Sequence, residues 1–360
     1  MQTQSKFRLL VVRLGAMGDI LHALPAVTAL RLAHPGWVID WVVEPCWRAL
    51  LAAEGSTGRG TGQDPRQPQP LVDHLHLAPT KEWRKAPFRL KTLHEIKVLR
   101  RALRAGGYDA VLDLQGAIRS AVVGRLAGCR RLIGEAEPRE RIARWLFTER
   151  VTTLGAHVIE QDVELASAVA GDDLTPAKPW LPVDPVAEAW ADRILPPDTS
   201  QPAVLINPGA GWGAKRWPAE RYAAVAQGLI DRGFRVLVNA GPGEETLAEV
   251  IAQGTCGAAA PLTCSLDQLI ALTRRIALCV AGDTGPLHLA CALARPVVGI
   301  YGPTDPSRNG PFGTRFKVLR SPDSRRDHTR HTAPEAGLLT IQPEDVLRAA
   351  GELLAQETAP

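Results

Sequence analysis

The 360 residues are enough for two domains of ordinary size, and 45% hydrophobic against 22% charged residues excludes general disorder. A formal charge of +4 is too small to imply a nucleic-acid partner, and six scattered cysteines with no Cys-x-x-Cys pair suit reduced thiols better than a disulfide frame or a zinc site. The richest apolar stretch, Ile276–Tyr301, is broken by Asp283, His288 and Arg295, and Leu9–Val12 is too short for a signal core, so a cytoplasmic protein is expected.

Strand-like apolar runs alternate with amphipathic helical stretches, the pattern of parallel α/β units. In the first half the spacing predicts strands at Phe7–Arg13, Val38–Glu44, Leu71–Leu77 and Ala110–Leu114, and helices at Ile20–Ala33, Arg89–Ala105 and Ala117–Ala127. Residues 55–70, rich in Gly, Pro and Gln, read as a surface insertion. Seven prolines between Gly171 and Pro202 resist continuous structure, apart from a short helical insert near Val186–Ile194. The second half predicts strands at Ala203–Asn207, Arg235–Asn239, Ala277–Ala281 and Pro296–Tyr301. Helices are predicted at Ala219–Arg232, Glu244–Gln253, Leu266–Arg275 and His288–Leu293, with a last one at Pro343–Ala355. The expected domains are thus 1–175, a linker at 176–202, 203–340, and a C-terminal helix and tail at 341–360.

In open parallel sheets, ligands collect at the carboxyl ends of strands. The first such loop, Leu14-Gly-Ala-Met-Gly-Asp19, lacks the first glycine of a dinucleotide fingerprint, Arg13 standing in its place. Asp19 reads either as a helix N-cap or as a general base facing a cleft, with His22 one turn on. In the second half, Pro208–Pro218 offers glycines for close approach and Lys215 as a point charge for phosphate. Gly241-Pro-Gly-Glu244-Glu245 offers a carboxylate for ribose hydroxyls, or simply acids favoured in a first helical turn. At Gly282–His288, Thr284, Gly285 and the helix start can cradle a phosphate, whereas Asp283 as a plain N-cap and His288 as a buried helix residue is the structural alternative. No Asp-x-Asp pair, nucleophile elbow or P-loop occurs, and the pairs His74/His76 and His328/His331 lack a third metal ligand. Nine Lys/Arg against two acids between Lys81 and Arg104 make that stretch strongly basic.

Five segments in order, Arg13–His22, Asp113-Leu-Gln-Gly116, Lys215-Arg-Trp-Pro218, Asp283–His288 and Tyr301–Pro306, together resemble the ADP-heptose:lipopolysaccharide heptosyltransferases, glycosyltransferase family 9. Asp40-Trp-Val-Val-Glu44 and Glu82-Trp-Arg-Lys-Ala86 are most similar to the heptosyltransferase I branch. The resemblance implies a GT-B type α/β fold, two Rossmann-like domains with parallel sheets facing a central cleft, with the acceptor on the N-terminal domain and ADP-heptose on the C-terminal one. It implies inverting transfer of heptose to the Kdo (3-deoxy-octulosonic acid) of the lipopolysaccharide inner core, with no metal and no cofactor. Asp19 then becomes the catalytic base. The donor-binding set implied is Gly211, Lys215, Glu244 (with Glu245 its rival), Cys264, Asp283, Thr284, Gly285 and His288. Ala210-Gly211 departs from heptosyltransferase I, which carries hydroxyl side chains near the phosphates, so backbone would serve there.

The implied mechanism is a single displacement, with domain closure over the linker assembling the site and excluding water. The basic stretch, with Arg100 and Arg101, and separately Arg119, are candidate contacts for an anionic Kdo-lipid A acceptor at the cytoplasmic face of the inner membrane, where the enzyme would be peripheral. Other readings are heptosyltransferase II-like transfer to a core heptose, a nucleotide-dependent oxidoreductase suggested by Gly-Ala-Met-Gly, and a non-catalytic sugar-nucleotide binding protein.

Overall fold

The computed structural model describes residues 6–53, 70–327, 329 and 331–355. The stretch at 55–70 read above as an insertion and His328 therefore lie outside the described residues, Pro70 excepted. The chain divides into two units, Met1–Asp184 and Pro185–Pro360.

The first unit runs β1 (Arg8–Val12), α1 (Met17–Ala33), β2 (Val38–Val43), β3 (His74–Leu77), α2 (Thr80–Lys85), α3 (Leu90–Ala105), β4 (Ala110–Asp113), α4 (Ile118–Leu126), β5 (Leu132–Glu135), β6 (Glu149–Val151) and α5 (Val158–Ala170). Its six strands form one parallel sheet in the order β3-β2-β1-β4-β5-β6. Leu9, Leu10, Val11 and Val12 are fully buried, as a central parallel strand covered on both faces requires. Each such side chain contributes about 2 kcal/mol of burial energy, which explains why β1 reads as an unbroken apolar run. α1 is apolar nearly all round and is correspondingly buried from Ile20 to Arg31.

The second unit runs α6 (Pro185–Ile194), β7 (Ala203–Asn207), α7 (Ala219–Ile230), β8 (Arg235–Asn239), α8 (Glu245–Gly254), β9 (Ala260–Leu262), α9 (Leu266–Thr273), β10 (Leu278–Gly282), α10 (Gly285–Ala292), β11 (Val297–Tyr301), α11 (Pro306–Asn309), β12 (Phe316–Arg320) and α12 (Pro343–Ala355). Its sheet is again parallel, ordered β12-β11-β10-β7-β8-β9. α6 rises from the proline-rich segment and packs Ala187 and Ala191 on Ala271 of α9. Glu188 pins the contact by accepting from Arg274 at 2.7 Å.

Counted within its own unit, each sheet has the strand order 3-2-1-4-5-6. This order reverses direction beside its first strand, at β1/β4 and at β7/β10, and ligands of such sheets bind outside the carboxyl ends at that reversal. Register aligns the two ends: Val12 pairs with Asp113 in one sheet, and Asn207 with Ala281 in the other. The loops beginning at Arg13 and Leu114 are therefore neighbours, as are those beginning at Pro208 and Gly282.

Candidate active site

In the first unit, Asp19 stands at that reversal point. It is not the N-cap that the sequence allowed. α1 begins earlier, at Met17, with Ala16 as cap, which makes Asp19 the third helical residue. Its carboxylate accepts the Ala16 N–H at 3.0 Å, lies 3.4 Å from Nη2 of the buried Arg13, and remains 38% exposed. A cap satisfied from within the helix leaves carboxylate lone pairs facing outward. Gly15 is required here, because a Cβ on it would lie 2.7 Å from Nε1 of Trp47.

Asp113-Leu-Gln-Gly116 buttresses this loop. Asp113 Oδ1 accepts the N–H groups of Gln115 and Gly116, both at 2.8 Å, and Gln115 Oε1 then accepts the Leu14 N–H at 2.8 Å. From below, Trp41 Nε1 donates to the Arg13 carbonyl at 3.0 Å. Two acids that sequence reasoning did not assign to the site lie behind Arg13. Burial pushes the Asp113 carboxyl up to about 6 and that of Asp162, on α5, up to about 7, with the Arg13 charge opposing both. Asp162 had no signal beyond a carboxylate on the apolar side of an amphipathic helix. His22 is buried, its ring edge-on to His157 at 5.6 Å.

In the second unit the loops after β7, β8, β9 and β10 carry the remaining predicted residues. Lys215 donates to the Asp283 carboxylate, and its Nζ lies 3.4 Å from the Asp283 carbonyl and 4.2 Å from the Trp212 ring centroid. His288 Nε2 donates to the other Asp283 oxygen at 3.1 Å. Asp283 is thus an internal anchor rather than an N-cap; Thr284 caps α10, its hydroxyl donating to the Gly282 carbonyl at 3.2 Å. Burial alone would raise the Asp283 carboxyl, but the His288 hydrogen bond and the Lys215 charge outweigh it and hold the group well below the usual carboxylate range. Two of the three ammonium protons of Lys215 face Asp283, which leaves one for an incoming anion. The first turn of α10 starts from the same loop and offers the Gly285 and Leu287 N–H groups, Pro286 having none.

Glu244 and Glu245 separate clearly. Glu244 caps α8, accepts the Gly241 N–H at 3.2 Å, and lies against Gly209, where a Cβ would come 1.9 Å from Oε2. Glu245 instead accepts the Gly243 N–H at 3.1 Å at an exposed position. Cys264 Sγ lies 3.5 Å from Asn239 Oδ1, and Asn239 donates to Asn207 Oδ1 at 2.7 Å. This buried chain ties the ends of β7, β8 and the β9 loop together, and neither asparagine was singled out from sequence. Burial pushes the Cys264 thiol up to about 11. Gly211 has open space where a side chain would stand.

Arg119 is exposed in the first turn of α4, at the carboxyl edge of the first sheet. Arg100 and Arg101 are not brought to that edge. They are exposed on α3 about 15 Å beyond its first residue, on the return path between parallel strands. His74 and His76 turn to Asp40, the former at 2.9 Å. Among the described residues, no group of three or more His, Cys, Asp or Glu could hold a metal ion, and no helix is long and apolar enough to cross a membrane.

Residues 96–338 match the profile of glycosyltransferase family 9 (heptosyltransferase). Lipopolysaccharide heptosyltransferase 1 of Escherichia coli K12 is 32% identical over 326 residues, covering 88% of this chain and 94% of that protein. The structure of E. coli heptosyltransferase WaaC with ADP-2-deoxy-2-fluoro heptose superposes with a TM-score of 0.74 at 29% identity, over 96% of this chain and 99% of that one. E. coli ADP-heptose lps heptosyltransferase II gives 0.72 at 25% identity, over 98% and 100%. With two parallel six-stranded sheets of the GT-B kind and a match over most of its length, the chain belongs to glycosyltransferase family 9, the heptosyltransferases.

Proposed function

We propose that this enzyme transfers heptose from ADP-heptose to the Kdo of the lipopolysaccharide inner core, inverting the anomeric centre in one displacement. The observation that carries the reading is the division of chemistry between the two sheet-reversal points: an accessible carboxylate, Asp19, at one, and a positioned ammonium, Lys215, beside a helix start at the other. Asp19 takes the proton of an acceptor hydroxyl as that oxygen attacks the anomeric carbon, and ADP departs from the opposite face. A base within hydrogen-bond reach of the attacking hydroxyl is what such a step needs.

The leaving diphosphate gains negative charge as the glycosidic bond breaks. Lys215 meets it with its third proton, held in place by Asp283, which His288 in turn keeps ionised. The Thr284–Gly285 start of α10 adds the N–H groups of its first turn, so stabilisation is prearranged rather than recruited during the reaction. Glu244 receives the ribose hydroxyls, Cys264 borders the adenine, and the Gly211 backbone stands beside the phosphates. The first unit holds the acceptor, with Arg119 as a contact for its carboxylate, and the enzyme works at the cytoplasmic face of the inner membrane.

Likeness to lipopolysaccharide heptosyltransferase 1 and to WaaC supports the heptosyltransferase I-type acceptor, Kdo, in this reading. The likeness to heptosyltransferase II makes a heptosylated core the competing acceptor. The test is ADP release from ADP-heptose with Kdo-lipid A or with its heptosylated product, with mass analysis of the glycolipid. Addition of one heptose to Kdo-lipid A is expected. Turnover only on the heptosylated acceptor would overturn the acceptor assignment, and no transfer to either would overturn the transferase reading itself.

A further inference from the structure

The α2–α3 corner of the first unit presents apolar side chains that its fold does not bury. Phe88 is 90% exposed and Leu90 85%, and Leu93 is exposed on the next turn. The corner is nevertheless well fixed. Trp83 is buried in the core with Leu99 and Leu103 and donates Nε1 to Glu95 at 2.8 Å, while the Thr92 hydroxyl donates to the Ala86 carbonyl at 2.9 Å. Exposure here is therefore a feature of an anchored surface.

At 100° per residue, Leu90, Leu93, Lys97, Arg100, Arg101 and Arg104 fall on one side of α3, opposite the buried Thr92, Leu99 and Leu103. That outer stripe is apolar at its start and cationic along the rest. Lys81, Arg84, Lys85, Arg89 and Lys91, all exposed, flank the apolar tip in the chain. Glu82 and Glu95 are the two acids of the stretch, and Glu95 is engaged by Trp83 and lies 3.8 Å from Lys91. A rigid apolar tip within a cationic field matches a surface that is anionic outside and apolar just beneath.

We infer that this corner and the outer face of α3 dock the enzyme on an anionic phospholipid bilayer, with Phe88, Leu90 and Leu93 entering the acyl boundary and the α3 cations meeting lipid phosphates. Because α2 and the start of α3 follow β3, the apolar tip lies at the same carboxyl edge of the sheet that carries Asp19. The inference deepens the proposed function by assigning the surface through which a membrane-held acceptor is reached.

Co-sedimentation of the full-length protein with vesicles of phosphatidylcholine, alone or with phosphatidylglycerol, tests this without donor or sugar acceptor. Binding only to the anionic vesicles, weakening as salt rises, is expected. F88S/L90S should cut the vesicle-bound fraction at least about ten-fold, and K97E/R104E should do the same. Turnover of F88S/L90S on a water-soluble Kdo acceptor should match wild type, which also reports that it is folded. Equal binding to neutral vesicles, or wild-type binding by F88S/L90S, would overturn the inference. So would a dimer in analytical ultracentrifugation that F88S/L90S abolishes, since a second copy would then be the occupant. Failure of vesicle binding leaves the transferase reading intact, and failure of transfer leaves the docking result intact.

Discussion

Asp162 gives a prediction whose sign and size both come from burial. Its carboxyl sits behind Arg13 and is pushed from 3.8 up to about 7 by desolvation; the Arg13 charge lowers it, while Asp19, Glu135 and Asp113 add to the rise. A carboxyl with a raised folded-state value binds its proton more tightly in the native chain, so its burial costs nothing below the unfolded value and progressively more as pH rises. The cost grows from about pH 4 to about pH 7 and is constant above. A displacement of about three units at 1.36 kcal/mol each amounts to about 4 kcal/mol. Asp162→Asn removes the titration and keeps the shape, so whatever fixed cost the amide carries does not vary with pH. Urea unfolding of wild type and variant in parallel at about pH 4 and about pH 8 should therefore show the variant gaining about 3–4 kcal/mol relative to wild type across that interval. A difference that stays flat, or that favours wild type at the higher pH, would refute the reasoning and place a paired carboxylate there instead.

Lys215→Ala should weaken ADP-heptose binding and slow transfer at least about ten-fold, because the diphosphate loses its positioned charge. It should also destabilise the second unit by about 3 kcal/mol, since Asp283 is left buried beside His288 alone, as urea unfolding will show. Glu244→Gln should raise the KM for ADP-heptose several-fold while Glu245→Gln leaves it unchanged; the reverse result would hand the ribose to Glu245. Gly209→Ala should mimic the loss at Glu244, because the new methyl would collide with its carboxylate. Activity should survive EDTA, and its loss, restored by added divalent metal, would contradict charge stabilisation by Lys215 and α10 alone.

Much of the fold was legible because central parallel strands read as unbroken apolar runs: β1, β7, β10 and β11 lie within a residue or two of their expected bounds. The strands that escaped are at or near the sheet edges. β5 has only four residues, β6 and β9 have three each, the latter with Pro261 at its centre, and β12 carries Lys317 and Arg320 among apolar neighbours. β5 is buried but too short to give a run, while β6, β9 and β12 are largely half-buried or exposed and give none to detect. α5 was missed although His157 and Glu160 form a capping box at its start, and Asp162 was missed with it. At the site, residue types pointed to Lys215, Asp283 and His288 individually, but only the β7/β10 register shows that they form one hydrogen-bonded group. Asp19 and Asp283 were both open to reading as helix caps. Ala16 and Thr284 hold those positions, which frees the two carboxylates for other partners. The Arg100–Arg101 pair illustrates the opposite limit: charge density was visible in sequence, but not its distance from the carboxyl edge.

The role of Asp19 is tested most directly by Asp19→Asn, with turnover and ADP-heptose affinity measured on the same preparation. The Asn carbonyl can still accept the Ala16 N–H, so the start of α1 is preserved and only the base is removed. Turnover should fall by about 10²–10⁴-fold while the Kd for ADP-heptose stays within about two-fold of wild type. Retained turnover, or a matching loss of donor affinity, would show that the carboxylate serves the helix start and not the transfer.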